Sequence, residues 1–244
     1  MSRCVTICLI LFTAGVAEAV TIPSNLGTGQ DGFAYSNPSV AFPLSNSYHA
    51  RPVVATVSAA HDTESLVQFD LSTVGLTPAQ VISGTLNLWV DDGSSTGFGN
   101  NPTGANPVQV DLYPLSGTWN KATLTWSNKP GTGSALGSVV VNSIGHWISY
   151  DVTSTVQSWL TAPSSNNGFL LRSNAVVGGP GNYYVVAFDS GFATGGAADP
   201  SANAPYLSIV PEASSLLLAL VASPVAAWSL LRSRRGRRRS RRSR

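Results

Sequence analysis

The stretch that decides the fold runs from Leu112 to Leu160: it opens LYPLSGTWNKATLTWSNKP (112–130), crosses a Gly/Ser/Val-rich link and closes HWISYDVTSTVQSWL (146–160). In the closing part Ile148, Tyr150 and Val152 alternate with Ser149 and Asp151, the period of a half-buried strand. Thr153 or Ser154 can then cap a short helix, TSTVQSWL, with Val156, Trp159 and Leu160 along one side. In the opening part a polar turn at Asn120, Lys121 and Ala122 leads to a predicted short strand, Thr123 to Trp126, that ends before Pro130.

Working outward, the same two-residue period recurs. Between Ser65 and Leu71, the residues Val67, Phe69 and Leu71 oppose Gln68 and Asp70. Ile82 to Val90 is the clearest strand, with Ile82, Gly84, Leu86, Leu88 and Val90 on one face and Ser83, Thr85, Asn87 and Trp89 on the other. Val108 to Tyr113 repeats the pattern. Val53–Val57, 139–141, 147–152, 168–172, 183–189 and 206–210 are further strand candidates bounded by Gly, Asn, Ser or Pro. Thr21 to Ala50 reads as loop with one or two short edge strands, and residues 91–107 as a surface loop. About nine short strands and one helix predict an all-β, antiparallel sandwich.

At this point the chain resembles the DNRLRE domains. The resemblance rests on Phe69-Asp70-Leu71-Ser72, Gly117-Thr118-Trp119, Thr125-Trp126, Tyr150-Asp151-Val152-Thr153 and Val156 to Leu160, in order, over roughly Leu66 to Val210. It implies a jelly-roll-like β-sandwich similar to carbohydrate-binding modules, and extracellular polysaccharide as the ligand class.

The 244-residue chain is 43% apolar and carries a formal charge of +2. That sign comes from the arginines between Arg232 and Arg244; from Val20 to Val210, Arg51, Lys121, Lys129 and Arg172 face ten acidic residues. A mildly acidic domain without a basic stripe is not expected to bind nucleic acid. The start MSR, the apolar run Val5–Val16 and Ala17-Glu18-Ala19 have the order of a secretory signal, so residues 1–19 are expected to be a signal helix cut by signal peptidase before Val20. Cys4 and Cys8 would leave with it, and no disulfide would remain.

The sandwich domain is expected to span 20–210. Beyond it, Pro211-Glu212-Ala213 introduces an apolar segment, 214–231, and the arginine-rich tail, 232–244. Eighteen residues at helical rise span about 27 Å, close to a bilayer core, so a membrane helix is expected with the arginines cytoplasmic. This end looks like the PEP-type sorting signal handled by exosortases, with Ala213 where that motif usually has a second proline. The resemblance implies cleavage by an exosortase-type membrane protease after transient anchoring in the inner membrane, then release to the cell surface or extracellular matrix.

No nucleophile motif accompanies His49, His61 and His146, so a non-catalytic binder without an obligatory cofactor is expected. Asp62 and Glu64, in the sequence His61-Asp62-Thr63-Glu64, are the candidate ligands for a structural calcium ion. For sugar binding the candidates are Trp89, Asn87, Gln109, Asp111 and Tyr113, brought into one patch if the strand ending at Val90 pairs with the one starting at Val108. Trp126 and Trp159 are assigned to the core. The alternative is a structural or adhesive surface protein without a specific ligand.

Overall fold

The computed structural model describes residues 18–36, 53–54, 62–93, 99–173, 184–191 and 203–212. Residues 1–17 of the expected signal segment, the apolar segment 214–231, the arginine tail, Ala213, His49 and His61 lie outside the described residues. No helix among the described residues is long and apolar enough to cross a membrane. Ala19–Pro211 forms one compact unit.

Among the described residues, eleven strands build two antiparallel sheets, accompanied by one α-helix. Sheet A contains β1 (Val20–Pro23), β3 (Val53–Val54), β5 (Val81–Asp91), β8 (His146–Asp151), β10 (Val186–Phe188) and β11 (Tyr206–Pro211). Sheet B has the order β2 (Gln30–Tyr35), β4 (Thr63–Gln68), β9 (Phe169–Ser173), β6 (Val108–Pro114), β7 (Gly137–Val141). β1 and β2 are the short edge strands expected before Ala50. β5 is the spine of sheet A: β8 lies along one edge through Thr85–Val90, while β11 and then β10 follow each other along the opposite edge.

Leu86, Leu88 and Val90 of β5, Ile148 and Tyr150 of β8, and Leu207 and Ile209 of β11 meet Val67, Val108, Val110, Leu112, Phe169 and Leu171 of sheet B, all buried. This is the expected consequence of period-two alternation on two facing sheets. Buried Tyr150 reaches across and donates its hydroxyl to the Val110 carbonyl at 3.0 Å. Ile82 departs from the predicted face and is 60% exposed. The register shifts there: Val210 opposes Ser83 and Pro211 opposes Val81, so Ile82 sits in a bulge and Val81 takes the buried place.

The helix α1 (Thr153–Thr161) starts one residue earlier than expected, with Val152 as its N-cap rather than Thr153 or Ser154. Asp151 does the capping work. It accepts the Thr153 N–H at 2.9 Å and the Thr153 hydroxyl at 2.6 Å, and the same hydroxyl accepts the Gly84 N–H at 2.9 Å, fastening α1 to β5. Val156 and Trp159 turn into the core, where Trp159 lies 4.7 Å from Phe169, ring to ring.

Two parts of the sequence reading are corrected here. Residues 123–126 form turns, not a strand, because side-chain amides take the backbone's hydrogen bonds. Asn120 Oδ1 accepts the Ala122 N–H, Asn128 Oδ1 accepts the Thr125 N–H, and Asn128 Nδ2 donates to the Thr123 carbonyl. The segment folds as a cap on the outer face of sheet B, where Leu115, Leu124, Trp119 and Trp126 pack on Ala34, Leu66, Leu170 and Tyr113. Trp126 is therefore only half-buried, with the Lys129 ammonium 3.8 Å from its ring centre, and it does not belong to the main core. The second correction is that β5 and β6 do not pair; they stand in different sheets.

Asp70 and Asp151 occupy equivalent turns. Each accepts the backbone N–H two residues on, and Asp70 also accepts the Thr28 N–H at 2.9 Å. Bonds from the Ser72 hydroxyl, then from the Thr28 and Ser72 N–H groups, hold the Asp70 carboxyl down at about 2. A depressed folded-state value means its contribution is present above the ordinary carboxyl range and is lost as pH falls through about 2. Asp70→Asn is expected to melt below wild type at neutral pH by a modest, solvent-screened margin. The gap should close between about pH 4 and about pH 2 in thermal melts. Burial pushes buried Asp31 the opposite way, against bonds from Ser190, Gly191 and Ser24, so the difference between variant and wild type is the quantity to read.

Candidate functional site

The outer face of β5 carries Thr85, Asn87 and Trp89, as its alternation requires. β8 lies antiparallel beside it, so its outward residues Asp151, Ser149 and Trp147 fall opposite Thr85, Asn87 and Trp89 in turn. On the other edge, β11 places Tyr206 opposite Asn87 and Ser208 opposite Thr85. Three half-buried aromatic rings result, in contact and edge to face. Trp89 and Trp147 lie 5.4 Å apart at 68°, and Trp147 and Tyr206 lie 5.0 Å apart at 73°. Edge-to-face packing presents a ring's positive rim to its neighbour's negative face and holds each ring at a set angle.

Polar groups flank the rings. Ser149 donates its hydroxyl to Asn87 Oδ1 at 2.7 Å, and Asn87 Nδ2 donates to the Thr85 carbonyl at 3.1 Å, which orients the amide beneath the cluster. Asp151 is exposed at the far end, and the Thr153 hydroxyl and N–H hold its carboxyl below the usual range. Asn87 is itself buried and serves to orient Ser149, while aromatic surface for sugar C–H faces, beside an exposed hydroxyl and a permanent carboxylate for sugar hydroxyls, is the chemistry a carbohydrate site needs.

The predicted patch is divided by the fold. Trp89 and Asn87 are in this cluster, whereas Gln109, Asp111 and Tyr113 lie on the outer face of sheet B, across the sandwich. There Gln109 Nε2 and the Tyr113 hydroxyl both donate to Asp111, at 3.0 and 3.3 Å, and the Arg172 guanidinium lies 5.1 Å from the Tyr113 ring centre. The place predicted for those three is taken by Trp147, Ser149 and Asp151 of β8, and Tyr206 joins from β11 on the other edge. Their signal was in the sequence: HWISYD puts Trp147 on the same outward face as Ser149 and Asp151, and YLSIV sets Tyr206 with Ser208.

Glu64, a candidate calcium ligand, is buried, and its carboxylate is shared by Lys129 and Arg172 on the outer face of sheet B. It would have to give up both cations to ligate a metal. The Asp62 N–H is bonded to the Ser36 hydroxyl at 2.8 Å. No group of three or more His, Cys, Asp or Glu residues suited to a metal ion occurs among the described residues. Of the three residues expected to form a sorting motif, Pro211 closes β11 and Glu212 is exposed just beyond it.

Residues 46–191 match the family model described as carbohydrate-binding module family 96. No curated protein matches the chain. The matched stretch runs from before β3 to just after β10, so β1, β2 and β11 lie outside it. The aromatic cluster straddles that limit, with Trp89 and Trp147 inside and Tyr206 beyond.

Proposed function

Since the chain belongs to carbohydrate-binding module family 96, we propose that it is a non-catalytic polysaccharide-binding protein whose ligand lies across Trp89, Trp147 and Tyr206. The observation that carries this reading is the contact of three half-buried rings on one sheet face, next to Asn87, Ser149 and Asp151. The resemblance to DNRLRE domains supports the same ligand class. Pull-down of the purified chain on cellulose, xylan, galactomannan and acidic matrix polysaccharides tests it. Retention on at least one is expected, and retention on none would favour the structural or adhesive alternative.

Export and sorting are part of the proposal, supported by the order of segments at both ends of the chain. A sorting protease would be expected to cut just past the last strand. Tyr206–Pro211 is a strand between β1 and β5, so a cut within it would open the middle of sheet A, whereas exposed Glu212 lies just past the last pairing. Mass spectrometry of extracellular material should find C-terminal peptides ending between Pro211 and Ala213. Recovery of residues 216–231 intact, in membranes alone, would leave a single-pass surface protein instead.

A further inference from the structure

The GTW and TW phrases of residues 117–126 take no part in the aromatic cluster, which lies on the opposite sheet. Thr118 and Trp119 of the first phrase, with Asn120, Thr123, Leu124 and Asn128 from the turns around the second, line a hollow of about 300 Å³ in the cap over sheet B. All six are uncharged: one half-buried indole, one buried leucine, two amides and two hydroxyls. The volume is at the small end of ligand sites, room for a sugar residue.

The hollow is held in shape from beneath. Trp119 Nε1 donates to the Asn167 carbonyl at 3.0 Å, which sets the plane of the indole, and Gln30 Nε2 donates to the Trp119 carbonyl at 2.9 Å. Asn120 Oδ1 accepts the Ala122 N–H at 2.8 Å, which fixes the amide and leaves its Nδ2 hydrogens to solvent. Among the described residues, neither that Nδ2 nor the Thr118 hydroxyl has a partner. A rigid aromatic wall, an oriented free amide donor and a free hydroxyl are a preorganised set for an uncharged sugar, whose hydroxyls both donate and accept.

We propose that this hollow is a second sugar-binding site, specific for uncharged residues, and that the module holds two polysaccharide chains, one on each outer face of the sandwich. The proposal rests on the carbohydrate-binding reading above. The two sites face away from each other across two sheets about 10 Å apart, so a short oligosaccharide contacts one at a time and a long polymer solution is cross-linked.

The test uses the full chain and three uncharged probes, galactomannan, xyloglucan and a soluble β-1,3-glucan, in affinity electrophoresis and light scattering. Thr118→Val with Asn120→Asp removes the free hydroxyl and the amide donor but keeps the oxygen that holds the Ala122 N–H. Wild type should be retarded by at least one probe and raise its scattering. The paired variant should need about tenfold more probe for half-retardation, the equivalent of one or two lost hydrogen bonds, and should lose the scattering rise. If the pair melts early, Thr118→Val alone gives the readout, since that hydroxyl supports nothing in the fold. A paired variant indistinguishable from wild type in both measurements, alongside a Trp147→Ala variant that loses retardation, would overturn the second site and leave the first. No retardation of wild type by any of these uncharged probes would overturn the second site, while retention on the wider polysaccharide panel decides the first.

Discussion

Trp159→Ala should destabilise the protein by about 3 kcal/mol, at the lower end of the range for a large buried aromatic. The ring is 5% exposed, packs 4.7 Å from Phe169 and closes the contact of α1 with the sheets. Its truncation would leave a void, but not a sealed one. A cleft of about 390 Å³ already borders Trp159, lined also by Asp70, Leu76, Leu160 and Asn166, so water can enter and soften the loss. Trp126→Ala should cost clearly less, because that ring is half-exposed and one face is covered by a lysine. Urea melts of the two variants side by side check the order; an equal or larger loss at Trp126 would mean that the cap on sheet B, not the inter-sheet core, governs stability.

Trp147→Ala should weaken binding to polysaccharide about 30-fold, the usual effect of about 2 kcal/mol for an anchoring tryptophan. Trp147 touches both other rings, so its removal takes away one stacking surface and frees Trp89 and Tyr206 to rotate. Trp89→Ala removes one ring and leaves the Trp147–Tyr206 contact, and should cost less. Affinity electrophoresis with the retaining polysaccharide gives the ratio, and a thermal melt confirms that the variant is folded. Unchanged retention in both variants would move the binding surface elsewhere on the domain.

Much of this molecule is legible residue by residue. Alternation in 84–90, 108–112 and 146–151 tells which side chains turn inward, because a strand's period is two wherever it is placed. The phrases FDLS and YDVT announce their turns, because an aspartate two residues before an N–H can take that bond with no help from distant chain. Asn120 and Asn128 act equally locally, yet the alternating look of 123–126 hides them: period alone does not weigh side-chain amides against a ladder.

What the chain could not disclose locally is partnership. Alternation assigns Asn87 and Trp89 to one face and Gln109, Asp111 and Tyr113 to another, but it is silent on which faces share a sheet. Adjacency in sequence suggested β5 with β6. Instead β6 stands in the other sheet, and β5 takes β8 and β11, from 55 or more residues further on, as neighbours. Trp147 and Tyr206 thereby join Trp89, and the site is assembled from three distant strands. Strand pairing is chosen by the burial of whole faces against each other, a sum over many long-range contacts, and no single strand's sequence contains it.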